Sequence, residues 1–320
     1  MNSKFSKNFT KGLFAALTLA AVASACGPAA SRGPLARDGE VALIQAELRA
    51  EALRYELRQR KRVTDIARRL IRAVDPRANR ASSRPYLGLE PVRTHGAAER
   101  VFGQEAAPGG VYIGFVPGVS PAREAGLRAG DVLLSVNGRE IGSPEDLDSA
   151  VRGLVPGQAA VLGLWRSGEF FEVSAGVETL PVDVRFELVN KAKVDAISSR
   201  GRIRIYYGML RFCESDEELA MLLAHELSHH VLGHTRNVPL ITLGGAFNGK
   251  IYRDVEREAD YLGARLLFAA GFDVEAGARF YERYAVETAG GLKGGLFYTH
   301  PFTAERIARI RRAIAGLKSP

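Results

Sequence analysis

The sequence predicts an α+β fold: a mainly helical C-terminal core with a small sheet, and a β-rich domain inserted between that core and its first long helix. Three observations predict it. Glu40 to Val74 contains no Gly or Pro and is dominated by Ala, Leu, Glu and Arg, residues that form helices readily. Residues 85 to about 180 read as short apolar strands separated by glycine turns, among them Asn137-Gly138, a strong hairpin signal. After Ser215, Leu219, Leu222, Leu223, Leu227 and Val231 recur at helical spacing around His225-Glu226-Leu227-Ser228-His229.

The chain of 320 residues has room for two domains, and 46% hydrophobic with 25% charged residues is an ordinary globular composition. The formal charge is +8; residues 1–25 hold Lys4, Lys7 and Lys11 and no acid, so without them it is +5 (8 minus 3). An excess this mild suits anionic lipid or acidic partners, and no nucleic-acid partner is expected. Cys26 and Cys213 are the two cysteines, too few for a disulfide framework.

The N-terminus reads as an export signal over residues 1–25. Three lysines precede the apolar segment Leu13 to Val22, which is too short to span a membrane and ends in Ala23-Ser24-Ala25-Cys26. Two cleavage readings stand. Small residues ending at Cys26 resemble the lipobox of bacterial lipoproteins, which implies an acylated Cys26 and, with Gly27 following, outer-membrane delivery. Ala23 stands where that motif usually has Leu, and Ala23-Ser24-Ala25 also suits plain secretion to the periplasm or beyond. Residues 26–39 read as a tether with Pro28 and Pro34. The long helix occupies 40–76, with Leu57, Val63, Ile66, Leu70 and Ile71 on its core side. Arg58, Arg60, Lys61, Arg62, Arg68, Arg69 and Arg72 make it basic, as a solvated face or as a contact with anionic membrane.

Residues 85–180 carry Tyr86-Leu87-Gly88-Leu89, Ser120-Pro121-Ala122, Ala125-Gly126-Leu127, Ala129-Gly130-Asp131 and Val136-Asn137-Gly138. This series resembles a PDZ domain of the bacterial protease-associated type. The resemblance implies that Tyr86, Leu87, Gly88 and Leu89 form a loop whose N–H groups hold a peptide C-terminus while the peptide adds a strand. Alternatively these glycines only make turns. His95 falls in a loop and reads as surface.

Residues 181–320 hold the chemistry. Val182, Val184, Phe186 and Leu188 alternate as a half-buried strand, and Ile203 and Ile205 alternate with Arg202 and Arg204 in a second. Ser215 followed by Glu218 is a capping box that starts a helix, and Gly233 stops it. On that helix His225 and His229, four apart, can hold one metal ion, with Glu226 placed to take a proton from a bound water. Chance alone makes such a pattern in roughly one chain of this length in a hundred, so a third ligand has to decide. The metzincin register would need Gly and His where Leu232 and Thr235 stand. Glu256 and Asp260 share a face of a later helix: Glu256 can complete the site, and Asp260 can accept the outer ring N–H of a liganding histidine. Glu258 points to nearly the opposite face. His230 reads as helix surface and His234 as a cap. His300, held extended before Pro301, is either an oxyanion donor or a plain loop residue. Cys213 reads as apolar filler.

Leu219-Ala220, Ala224 to His229, Glu256 to Asp260, Ala270-Gly271-Phe272, His300-Pro301 and Glu305-Arg306-Ile307 together resemble the family of the CAAX prenyl endopeptidases, HtpX and BepA. The resemblance implies a gluzincin-type peptidase with one Zn2+ per chain on His225, His229 and Glu256. It implies Glu226 as general base, Asp260 supporting a ligand, His300 near the metal, and Arg202 to Tyr206 as the edge strand on which substrate lies. Two departures stand out: the sequence lacks the transmembrane pair of integral-membrane members, and the PDZ-like segment is an insertion. The expected function is hydrolysis of unfolded or misassembled envelope proteins on the periplasmic side. Polypeptide substrates would be recruited through C-terminal tails, and the membrane reached through the lipid anchor. The alternative is a chaperone-like or peptide-binding factor with a latent, self-inhibited zinc site.

Overall fold

The computed structural model describes residues 37–76, 84–93, 97–103, 109–236, 249–287 and 304–318. His95, His300 and Cys26 lie outside them. The chain divides into two compact units, residues 1–47 and 48–320. The described part of the first is the exposed start of helix α1 (Asp38–Arg72), with Val41, Leu43 and Ile44 in solvent.

In the second unit, Leu57, Val63, Ile66, Leu70 and Ile71 of α1 are all buried, as their spacing predicts. Of its basic residues Arg58 is exposed, while most of the others are paired. Arg60 pairs with Glu90 at 3.0 Å and Arg62 with Asp216 at 2.6 Å. Arg69 donates to the carbonyls of Ala270 and Gly271, and Arg68 is buried. The arginines tie α1 to the elements on either side of it.

The insertion opens with β1 (Arg84–Tyr86) and returns with β8 (Glu178–Leu180), paired antiparallel so that its two ends meet. Between them lies an antiparallel sheet in the order β2 (Glu90–Pro91), β3 (Val111–Phe115), β4 (Val132–Val136), β6 (Ala159–Arg166), β7 (Glu169–Gly176), with β5 (Arg139–Glu140) on β4. Short helices α2 (Ala98–Phe102), α3 (Pro121–Glu124) and α4 (Pro144–Arg152) close it. Ser120 and Ser143 cap α3 and α4, each with Pro in the first turn. Asn137 and Gly138 both take positive φ, as the hairpin turn requires. Buried Asp131 receives two bonds from Arg166, at 2.6 and 2.7 Å, and a third from the Arg128 amide. The core contains Leu87, Leu89, Ile113, Leu133, Leu162 and Leu164.

The remaining elements surround a second core. A three-stranded sheet runs β10 (Ala196–Ser199), β11 (Arg202–Tyr206), β9 (Arg185–Val189), antiparallel then parallel. Here the structure corrects the sequence reading: Arg202 to Tyr206 is the central strand, and β10 is an edge. Then come α5 (Tyr207–Phe212), α6 (Asp216–Val231), α7 (Gly249–Ala269), α8 (Val274–Glu287) and α9 (Ala304–Lys318). α6 packs between α7 and α8, so every residue from Glu218 to His230 is buried. The molecule is α+β, with its metal-site half mainly helical.

Candidate metal centre

α6 begins where Ser215 Oγ accepts from the Glu218 amide at 3.2 Å, and Glu218 in turn accepts from the Glu214 amide at 2.9 Å. It ends at Leu232, with Gly233 in the left-handed conformation that favours glycine. Thirteen of the sixteen residues are buried, which fixes the helix's rotation and with it the direction of His225 and His229. α7 comes close enough that a Cβ on Gly263 would stand 3.2 Å from the His225 amide nitrogen. A glycine there lets Glu256 and Asp260, on the same helix, reach the histidines.

His225 Nε2 and His229 Nε2 stand 3.2 Å apart, and the Glu256 carboxylate lies 3.4 Å from the first and 3.6 Å from the second. Atoms held at about 2.0–2.1 Å around a tetrahedral ion stand about 3.3–3.4 Å from one another. Glu256 reaches His225 through Oε2 and His229 through Oε1, spacings close to those around zinc, and two imidazoles with one carboxylate are a donor set that zinc accepts. All three residues are buried, which excludes a fortuitous surface cluster.

Each histidine has support behind it. His225 Nδ1 is 3.1 Å from Asp260 Oδ1, the contact expected from the sequence. His229 Nδ1 lies 3.0 Å from His234 Nδ1, and His234 Nε2 lies 3.2 Å from Glu258. His234 thus lies behind His229 rather than capping the helix, and Glu258, which is outside the His225–His229–Glu256 group, is joined to it through His234. His230 is also corrected: it is buried, with Nε2 3.3 Å from the carbonyl of Arg202. Glu226 is fully buried next to His225, and its backbone carbonyl accepts from Ser198 Oγ at 2.9 Å, which joins β10 to α6.

Arg306 was missed. At 2% exposure its guanidinium grips Asp260 through Nε at 2.8 and 2.9 Å and Nη2 at 2.6 Å, lies 3.5 Å from Glu256, and stands 5.0 Å over the ring of Tyr281. Its signal was positional. Arg306, Ile310 and Ile314 follow at spacings of four, all buried, so a cation occupied the core stripe of α9.

The charges explain the titration. Burial is the largest influence on Asp260 and pushes its carboxyl up, but Arg306 and His225 outweigh it and hold the group below the usual carboxylate range. For His225, burial and Arg306 act downward, yet the hydrogen bonds to Asp260 and Glu256 bring it up to about 9. A metal ion entering here therefore competes with a proton. Burial raises the Tyr281 phenol, the neighbouring Arg306 notwithstanding, and it stays protonated.

Comparison with known proteins points the same way. Residues 118–166 match the PDZ domain family, and residues 173–241 and 236–314 match Peptidase family M48. The chain is 38% identical over 105 residues to a probable periplasmic serine endoprotease DegP-like from Rhizobium meliloti, covering 32% of this chain and 20% of that one. A similar protein from Pseudomonas fulva is 33% identical over 123 residues, covering 38% and 26%. This chain thus spans between a fifth and about a quarter of the length of these two relatives. A solved HtrA-type protease, AlgW with decapeptide, is 26% identical over 30% of each chain at a TM-score of 0.28. The M48 match falls on the stretch that brings His225, His229 and Glu256 to one point, so residues 173–314 of this chain carry a Peptidase family M48 domain, with a PDZ domain ahead of it.

Proposed function

We propose that this protein is a zinc-dependent endopeptidase of the cell envelope, acting on unfolded or misassembled polypeptides that its PDZ domain recruits. The observation that carries the reading is the close grouping of His225, His229 and Glu256, with buried Glu226 next to His225 in the chain. Zinc held there supplies a Lewis acid that brings the pKa of its water down to about 7 and polarises a carbonyl oxygen. Glu226 takes the proton of the attacking water and passes it to the leaving amine. Asp260 holds His225 through Nδ1, while Arg306 fixes both Asp260 and Glu256 and stands with Nη2 3.2 Å from His225 Nε2, a contact that a metal on Nε2 would replace. Among the described residues β10 pairs only with β11. Its remaining edge, beside α6, can take an extended polypeptide as a further strand.

The envelope location draws on the basic, apolar and Ala23-Ser24-Ala25-Cys26 succession at the N-terminus, and on relatives whose names place them in the periplasm. Cys26 is the proposed lipid anchor; no described helix is long and apolar enough to cross a membrane. The test is Glu226→Gln. It should bind zinc at the wild-type ratio and lose at least about a thousandfold in cleavage of reduced, unfolded casein, the scale of losing a general base. Undiminished cleavage would remove Glu226 from the mechanism.

A second reading, a chaperone-like factor with a self-inhibited site, is favoured by the burial of all three ligands and of Glu226. His300 separates the two. As an oxyanion donor, its replacement by Ala lowers the cleavage rate about a hundredfold. As a latch over the metal, the same change raises the basal rate.

A further inference from the structure

The PDZ loop does not face open solvent alone. Tyr86, Leu87, Gly88 and Leu89 line a cavity of about 1050 Å³ that α1 and β9 of the peptidase half also line. Leu147 and Val151 of α4 line it too. Among the described residues nothing accepts from the amides of Leu87, Gly88 or Leu89. Gly88 has φ +77, and an added Cβ would stand 2.2 Å from that of Ser120, so only glycine permits this loop.

Arg68 of α1 lines the same cavity. It is 5% exposed, with its guanidinium carbon 3.6 Å from the centre of the Tyr86 ring. Nη2 donates to Glu178 at 2.9 Å, but Nε and Nη1 are buried with no described acceptor, and so is the Tyr86 hydroxyl. Glu178 is shared, since Arg72 takes its other oxygen at 2.6 Å. Two guanidinium groups thus stand against one carboxylate, a local excess of positive charge in a buried place. Burial holds the Arg68 pKa below its ordinary value, as it does for a cation without full compensation. A buried guanidinium with unspent donors, lining the same cavity as three unspent amides, makes a candidate anion site.

We propose that Arg68, a residue of the peptidase's own first helix, completes this site, and that with the amides of Leu87, Gly88 and Leu89 it binds the C-terminal carboxylate of a polypeptide. The proposal rests on the PDZ domain recruiting polypeptide ends. It adds that the receptor for those ends is shared between the two domains, so an arriving tail is gripped by α1 as well. The next residue of α1, Arg69, bonds the carbonyls at the end of α7, the helix that carries Glu256.

The test uses the zinc-loaded full chain and a pool of decapeptides randomised at their last four positions. The most enriched sequence is resynthesised as free acid and as C-terminal amide, and both are titrated by fluorescence anisotropy into wild type and Arg68→Gln. Partial unfolding of the variant weakens both peptides alike, so the amide-to-acid ratio of dissociation constants is the reading. The ratio should be at least about thirtyfold in wild type and fall by about tenfold or more in Arg68→Gln, the size of one charge-assisted bond. An unchanged ratio in Arg68→Gln, with the acid still preferred, would overturn the role of Arg68 and leave PDZ recruitment standing. Equal binding of acid and amide to wild type, or no enrichment of any peptide, would overturn both.

Discussion

Asp260 and Arg306 carry opposite charges in a place where neither could remain alone. Removing one member of a buried pair costs about 3–5 kcal/mol because the other is left uncompensated, whereas removing both can cost little. Arg306→Gln should therefore lower the unfolding free energy by that amount, and the double variant Arg306→Gln with Asp260→Asn should recover part of it; denaturant titration measures both. Strict additivity of the two losses would contradict the pairing. His225, Glu226 and His229 were legible in the sequence because a fixed chemistry imposes a fixed spacing on one helix. Arg306 was not. In an amphipathic helix rich in arginine, one more cation reads as solvated unless its register with Ile310 and Ile314 is followed. The burial of His230 and the part of His234 beside His229 were equally hidden, because each depends on a partner distant in the chain.

Among the elements, the α6–α7 contact decides whether a site forms. Gly263 is the point of closest approach, and Gly263→Ala puts a methyl 3.2 Å from the His225 amide nitrogen and 3.3 Å from its Cα. Overpacking of this kind costs about 1–3 kcal/mol. Since it separates the helix bearing Glu256 from the helix bearing the histidines, zinc affinity should fall with it, which competition against a chromophoric chelator would show. Unaltered affinity would mean the helices close elsewhere. The helices themselves were readable from apolar spacing and from Ser215 and Gly233. The order of the small sheet was not: alternation in Arg202 to Tyr206 reports a strand with one buried face, and says nothing of how many strands flank it. The strand left with an edge beside α6 is β10, whose four residues carry too weak a pattern to announce it.

In the second unit, α1 gives Val63, Ile66, Leu70 and Ile71 to the core of the metal-site half and Leu53 and Leu57 to a separate cluster with Tyr112 and Phe115 of the PDZ sheet, and several of its arginines bind both sides. Arg60 holds Glu90 of the PDZ sheet, Arg62 holds Asp216 at the start of α6, Arg68 and Arg72 hold Glu178 where the insertion returns, and Arg69 holds the end of α7. The composition showed a basic helix but not its acceptors, since those lie up to about two hundred residues away in sequence. The PDZ-like series was legible because tight turns demand glycine at fixed places, as at Gly88 and Gly138. The central claim for the whole is that peptide cleavage depends on one zinc held by His225, His229 and Glu256. The direct measurement is zinc content and casein cleavage on the same sample, as purified, after chelation, and after one equivalent of zinc is returned. The account predicts one zinc per chain, loss of cleavage on its removal and recovery on its return, with Glu256→Gln failing to recover. Cleavage that persists in the zinc-free protein would contradict it.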